Sequence, residues 1–176
     1  MKKRILSVLS KAPMRKGRVG PMHKQDWHAT CVLLARELER DKHAMALLVT
    51  ALELDGEDEM IHYHGTLRKL GICEKRILCV KEGFETMHQL KRSAEEAERH
   101  EAELTIVLVA VHLPRTKLLC RALDIKAKFL VAHGIPRPKD VLVELLLLPV
   151  YPFFFSRRFR KWFQQLANER RKNGKL

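Results

Sequence analysis

The chain has few cysteines and none of the common signature motifs. Its four cysteines, Cys31, Cys73, Cys79 and Cys120, form no CxxC pair. Cys31, Cys79 and Cys120 sit in apolar runs and read as small buried hydrophobes. A disulfide scaffold is excluded, and nothing calls for an oxidising compartment. GxGxxG, the phosphate-binding P-loop, HExxH and zinc-type Cys/His spacings are all missing. His62 and His64 are two residues apart, so on a helix they point to different sides and would not share a metal. No apolar run reaches the roughly 18 residues of a transmembrane helix. The nearest stretch, 141–155, is interrupted by Glu144, Pro149 and Pro152. ILSVLS after the opening MKKR is too short for a signal-peptide core. Eight glycines and seven prolines in 176 residues exclude a collagenous or low-complexity chain.

Acidic residues are absent from 1–25, and this locates the charge. That stretch holds eight Lys/Arg, and 156–176 holds eight more against the single acid Glu169. The whole net charge is +13, so the body between is close to neutral and slightly acidic. Basic ends on a neutral body suit an anionic contact at those ends better than a uniformly basic binding domain. A length of 176 residues suits one domain with a sizeable core.

Short apolar runs alternate with runs of helical period. Strands are predicted at 4–10, 44–52, 76–81, 104–111 and 127–133, and helices at 25–41, 58–70, 85–101, 113–124 and from about 139. Residues 12–25 and 53–59 read as loops, and Gly71 as a helix stop. Near-continuous apolar strands belong in a sheet covered on both faces. The expected fold is α/β, a Rossmann-like doubly wound, mostly parallel sheet of about five strands with flanking helices and a basic C-terminal helix. Residues 1–155 form that domain, and 156–176 a basic amphipathic segment. Ligands of such sheets bind at the carboxyl ends of the strands. The loops to search are therefore 11–24, 52–58, 82–86, 110–115 and 133–138.

The loop after the fourth predicted strand, VAVHLPRT, puts His112 and Arg115 at a helix opening. Free amides and a guanidinium there suit an anion, and His112 would orient a ligand or move a proton. The plainer alternative is that Arg115 pairs with an acid and His112 caps the helix. Thr86 and Gln89 follow the third strand, with Glu85 or Thr86 an alternative helix cap. Glu53, Asp55, Glu57, Asp58 and Glu59 follow the second, as solvated caps or with one facing a pocket. At the C-terminus, Phe159, Trp162, Phe163 and Leu166 form an apolar stripe flanked by Arg157, Arg158, Arg160 and Lys161. It reads as a final helix packed on the domain, with an anionic membrane surface contacted through 153–176 as the alternative. Nucleic acid is the less favoured partner.

HLPRTKLLCRAL after an apolar strand resembles the signature of the YdcF-like family, which includes SanA and ElyC. His112 and Arg115 match its His and Arg. Thr86, Gln89 and Leu90 resemble its Thr and Gln-Leu positions, and Glu59, twelve residues before Gly71, its acidic position. The likeness spans roughly 26–135. The chain departs from the family at several positions. KAPMRKGRVG stands where a Gly-rich loop is usual, Thr50-Ala51-Leu52 replaces Ser-Gly-Gly, Glu85 replaces Asn, and Ala110 and Val111 replace small polar residues. The chain thus looks like a divergent member. The resemblance implies a Rossmann-like fold and an anionic or nucleotide-like ligand, with S-adenosylmethionine as one such compound. It also implies a role in envelope-related metabolism. On that reading His112 is the catalytic or orienting group, and Arg115, Thr86, Gln89 and Glu59 bind the ligand. No metal is expected. The expected location is cytoplasmic, with peripheral membrane contact as the variant. The competing expectation is a surface-binding protein that acts through its basic ends without catalysis.

Overall fold

A computed structural model describes residues 3–9, 21–49, 53–54, 57–81, 86–132 and 138–172. Five strands form one parallel sheet: β1 (Arg4–Leu9), β2 (Met45–Val49), β5 (Ile77–Val80), β6 (Glu103–Val109) and β7 (Lys128–Ala132). Their spatial order is β5-β2-β1-β6-β7. The chain winds outward from β1 to one edge, then crosses back to β6 and continues to the other edge. This is the doubly wound, Rossmann-like arrangement, with its switch point between β1 and β6. A two-stranded antiparallel hairpin, β3 (Glu53–Leu54) and β4 (Glu57–Asp58), occupies the second predicted loop. The helices are α1 (Pro21–Arg40), α2 (Glu59–Lys69), α3 (Thr86–Arg99), α4 (Leu113–Ala122), α5 (Pro138–Leu147) and α6 (Arg157–Lys172).

Alternation along each strand sorts the apolar residues onto two faces. Leu6, Val8, Ala46, Leu48 and Val107 pack against Cys31, Leu34 and Leu38 of α1 and Leu67 of α2. Ile5, Leu47, Val49, Ile106 and Leu108 pack against Met87 and Leu90 of α3 and Leu119 of α4. A 3₁₀ segment, Leu148–Phe155, lies over α4 and sends Tyr151 and Phe154 into the second core. Arg76 ties α1 to the sheet. Its guanidinium donates to the carbonyls of Leu38, Asp41 and Ala44 at 2.7–3.0 Å, satisfying acceptors at the end of α1.

Two local expectations change. Helix α1 begins at Pro21, inside the basic stretch read as a loop, because proline is well suited to a helix's first position, where its missing N–H costs nothing. Cys31 and Cys120 are buried as expected, but Cys79 is exposed because β5 is an edge strand. No disulfide joins the four cysteines. Helix α2 ends as expected at Gly71, whose φ of 86° lets Ile72 N–H reach the Leu67 carbonyl. Among the described residues no helix is long and apolar enough to cross a membrane.

One buried polar contact crosses the second core. Ser93 on α3 donates to the Gln89 carbonyl at 2.6 Å, so its single proton is committed. Ser7 on β1 must therefore donate to Ser93 Oγ, also at 2.6 Å. Removing the acceptor leaves a buried donor unmet, whereas removing Ser7 leaves Ser93 bonded. Ser93→Ala should cost about 1–3 kcal/mol and Ser7→Ala clearly less. The double variant should cost less than the sum. Urea unfolding of the three variants checks the order; equal single costs would contradict the donor assignment.

Candidate functional site

After β6 the chain turns through a 3₁₀ turn, Ala110–His112, directly into α4. β6 borders β1 at the switch point, so His112 stands at the edge of the sheet where doubly wound folds hold ligands. The tight entry changes what the helix end offers. Leu113 N–H already donates to the Ala110 carbonyl, and Pro114 has no N–H. The expected anion site built on the first amides of α4 is therefore reduced. His112 does not cap α4 with its side chain either. Instead Thr116 Oγ1 donates to the His112 carbonyl at 2.8 Å.

The His112 ring turns toward α5. Nδ1 lies 2.8 Å from Glu144 Oε1. Arg115 Nη1 reaches the same oxygen at 2.9 Å, and Arg115 Nη2 lies 3.1 Å from His112 Nδ1. Tyr151 donates its hydroxyl to Glu144 Oε2 at 3.3 Å. One buried carboxylate thus gathers an imidazole, a guanidinium and a phenol. The Arg115 and Glu144 contacts with Nδ1 require opposite protonation there. A carboxylate oxygen at 2.8 Å from a bare ring nitrogen would set lone pair against lone pair, so Nδ1 carries a proton and donates to Glu144. Arg115 is then held near the ring by Glu144 rather than by the histidine. In the neutral ring Nε2 is the nitrogen that exchanges a proton. This is the positioning that a carboxylate gives a histidine in acid/base sites.

The electrostatics fit this assignment. Burial pushes the Glu144 carboxyl upward, but the His112 hydrogen bond and the Arg115 charge outweigh it, and its pKa ends below the ordinary value. The Tyr151 hydroxyl is pushed up to about 12, first by burial, so it stays protonated and remains a donor to Glu144.

His112 and Arg115 were singled out from the sequence, and the structure brings them together with Glu144 and Tyr151, which were not. The signal for Glu144 was a lone acid in the apolar run VLVELLLL, a position that a charge occupies only when paired. The plainer expectation for Arg115, pairing with an acid, is what the structure shows. Thr86 is the first residue of α3, and Gln89 lies buried one turn in, both at the carboxyl edge of the sheet. Glu59 opens α2, but its side chain lies outside the described residues, as do those of Glu53, Asp55, Glu57 and Asp58. Of the predicted ligand loops, residues 11–20, 52, 55–56, 82–85 and 133–137 also lie outside them. His64 bonds Glu74 at 2.7 Å while His62 meets the edge of the Trp27 ring, so the two histidines diverge. Among the described residues no three His, Cys, Asp or Glu are placed to hold a metal ion. A groove of about 780 Å³ lies at the opposite edge of the sheet, with Glu98, Glu101 and Asp124 among its acidic walls. None of the predicted site residues lines it.

No family model and no curated protein matches the chain in sequence. Among solved structures the chain is similar to glucose-6-phosphate 1-dehydrogenase from Mycobacterium avium, at 11% identity and a TM-score of 0.41. The likeness covers 85% of this chain and 34% of that one, so the chain spans about a third of that protein's length. The Rossmann-like architecture itself rests on the strand order.

Glu144 should make stability depend on pH. Its folded pKa lies below the unfolded value of about 4.3. The stabilisation is therefore complete above that pH and is lost as pH falls through the folded pKa. Glu144→Gln should cost about 2–4 kcal/mol at neutral pH, somewhat less than a fully buried pair because Arg115 keeps 20% of its side chain in solvent. The gap between wild type and variant should narrow on acidification below about pH 4. Urea titrations across pH check both; a gap independent of pH would contradict the pairing.

Proposed function

We propose that the carboxyl edge of the sheet at the β1–β6 switch point binds a small molecule carrying a phosphate or carboxylate. In this reading His112 is the proton-exchanging or orienting group, and Glu144 is the residue that positions it. The reading is supported above all by the 2.8 Å contact between His112 Nδ1 and Glu144, made where this fold class takes its ligands. Arg115 contributes positive charge, and its Nε has no partner among the described residues. Thr86 and Gln89, at the start of α3, and Glu59, which opens α2, would add polar contacts in this reading. Any acid/base step would pass through Nε2, which is itself buried, so the ligand would have to open access to it, with Glu144 stabilising the imidazolium. The resemblance to the YdcF-like family at His112 and Arg115 supports an anionic or nucleotide-like ligand and a place in envelope-related metabolism.

S-adenosylmethionine fits the described residues poorly. Its carboxylate would suit Arg115 and His112, but Glu144 is committed to both of them, which leaves it poorly placed to face the sulfonium. A phosphate-bearing nucleotide or sugar is the better match.

Thermal unfolding against nucleotides, sugar phosphates and S-adenosylmethionine tests the proposal. A ligand at about 100 times its Kd adds roughly 2.7 kcal/mol. For a chain of this size that is a rise of about 5–11 °C. The rise should come from an anionic compound. It should shrink in Arg115→Lys, which keeps a charge for Glu144 but loses the planar fork. A rise that survives unchanged in both Arg115→Lys and His112→Asn would place the ligand elsewhere.

A further inference from the structure

The apolar stripe of α6 does not face outward as a unit. Phe159 and Phe163 pack their rings on Phe154 at 5.1 and 5.0 Å. Arg160 is also committed, donating to the carbonyls of Ala122, Phe154 and Phe155. The apolar surface left over lies mainly on other elements. On α5, Leu142, Leu145 and Leu146 share one face at i, i+3, i+4 spacing and are 57–68% exposed. The 3₁₀ segment that follows exposes Phe153 and Phe155, and α6 adds Trp162, all above half exposure. Phe153 and Trp162 are linked through the Phe159 ring at 5.7 and 5.4 Å. Six large apolar side chains on one C-terminal stretch exceed the scattered exposure of an ordinary surface.

Charge says what covers them. From Leu145 to Asn168 the sequence contains no acid. Arg157, Arg158 and Lys161 are exposed beside the aromatic residues. Leucines for insertion, aromatics and a cationic rim are what an anionic bilayer surface selects from a helix lying in its plane. We propose that the outer face of α5, the 3₁₀ segment and the Arg157–Lys161 turn of α6 dock on an anionic lipid surface. The docking face differs from the α6 stripe alone, because that stripe is largely used in packing. It is independent of the small-molecule reading, since Glu144 and Tyr151 point inward from the same stretch.

The test is co-sedimentation of the intact chain with lipid vesicles, either pure phosphatidylcholine or phosphatidylcholine mixed with equal parts phosphatidylglycerol. The wild type should pellet with the anionic vesicles and not with the neutral ones. Leu145→Ser/Leu146→Ser and Arg157→Glu/Arg158→Glu should each weaken binding by at least about tenfold. Both should still melt near the wild-type temperature, because the changed side chains are exposed. Several results would overturn the proposal. One is a wild type that stays in the supernatant, and another is a leucine variant that binds as wild type does. Equally contrary would be a dimer that the leucine variant dissociates while vesicles remain unbound, which would assign the face to a second copy. So would binding to an oligonucleotide but not to vesicles.

Discussion

A single buried carboxylate joins the end of β6, α4, α5 and the 3₁₀ segment of this protein. Glu144 comes from α5, yet its partners come from the end of β6 and from α4, and Tyr151 joins from the 3₁₀ segment. Burying a carboxylate is costly, and the cost is met only while all these groups stay in place. The pairing therefore fixes more than one feature. It sets which nitrogen of His112 holds the proton, where the Arg115 guanidinium lies, and how α5 sits against the switch point of the sheet. Without Glu144, His112 would be a histidine at a strand end with no defined tautomer, and α5 would keep only its modest apolar contacts.

The same pairing explains why the site is less of an anion trap than its residues suggest. An arginine at a helix opening usually advertises free positive charge. Here the guanidinium is neutralised by Glu144, and the helix end has lost amides to Pro114 and to the 3₁₀ turn. What remains is a histidine oriented by an acid, with a guanidinium at its side.

Much of the fold was legible because parallel strands buried on both faces read as unbroken apolar runs. RILSVL and ELTIVLV are such runs, and both became central strands. The start of α1 was not legible, because basic residues and glycines around Pro21 outweighed the helix-opening preference of proline. Cys79 was misjudged because the sequence does not state sheet order, and only the edge position of β5 exposes it. Of the cluster around Glu144, two members were legible. His112 and Arg115 announce themselves at a strand end, whereas Glu144 lies 32 residues from His112, and only the packing of α5 joins them. The C-terminal stripe was legible as a pattern, but which of its rings would pack on Phe154 was a matter of tertiary contact.

The central claim is that Glu144 holds His112 with its proton on Nδ1. Side-chain nitrogen–proton correlation spectra of the histidines, with His112 assigned through His112→Asn, read this directly. The account predicts a ring that carries a proton on Nδ1, shifted downfield by the carboxylate bond. That signal should disappear in Glu144→Gln. A His112 ring protonated only at Nε2, or one whose tautomer is indifferent to Glu144→Gln, would contradict it.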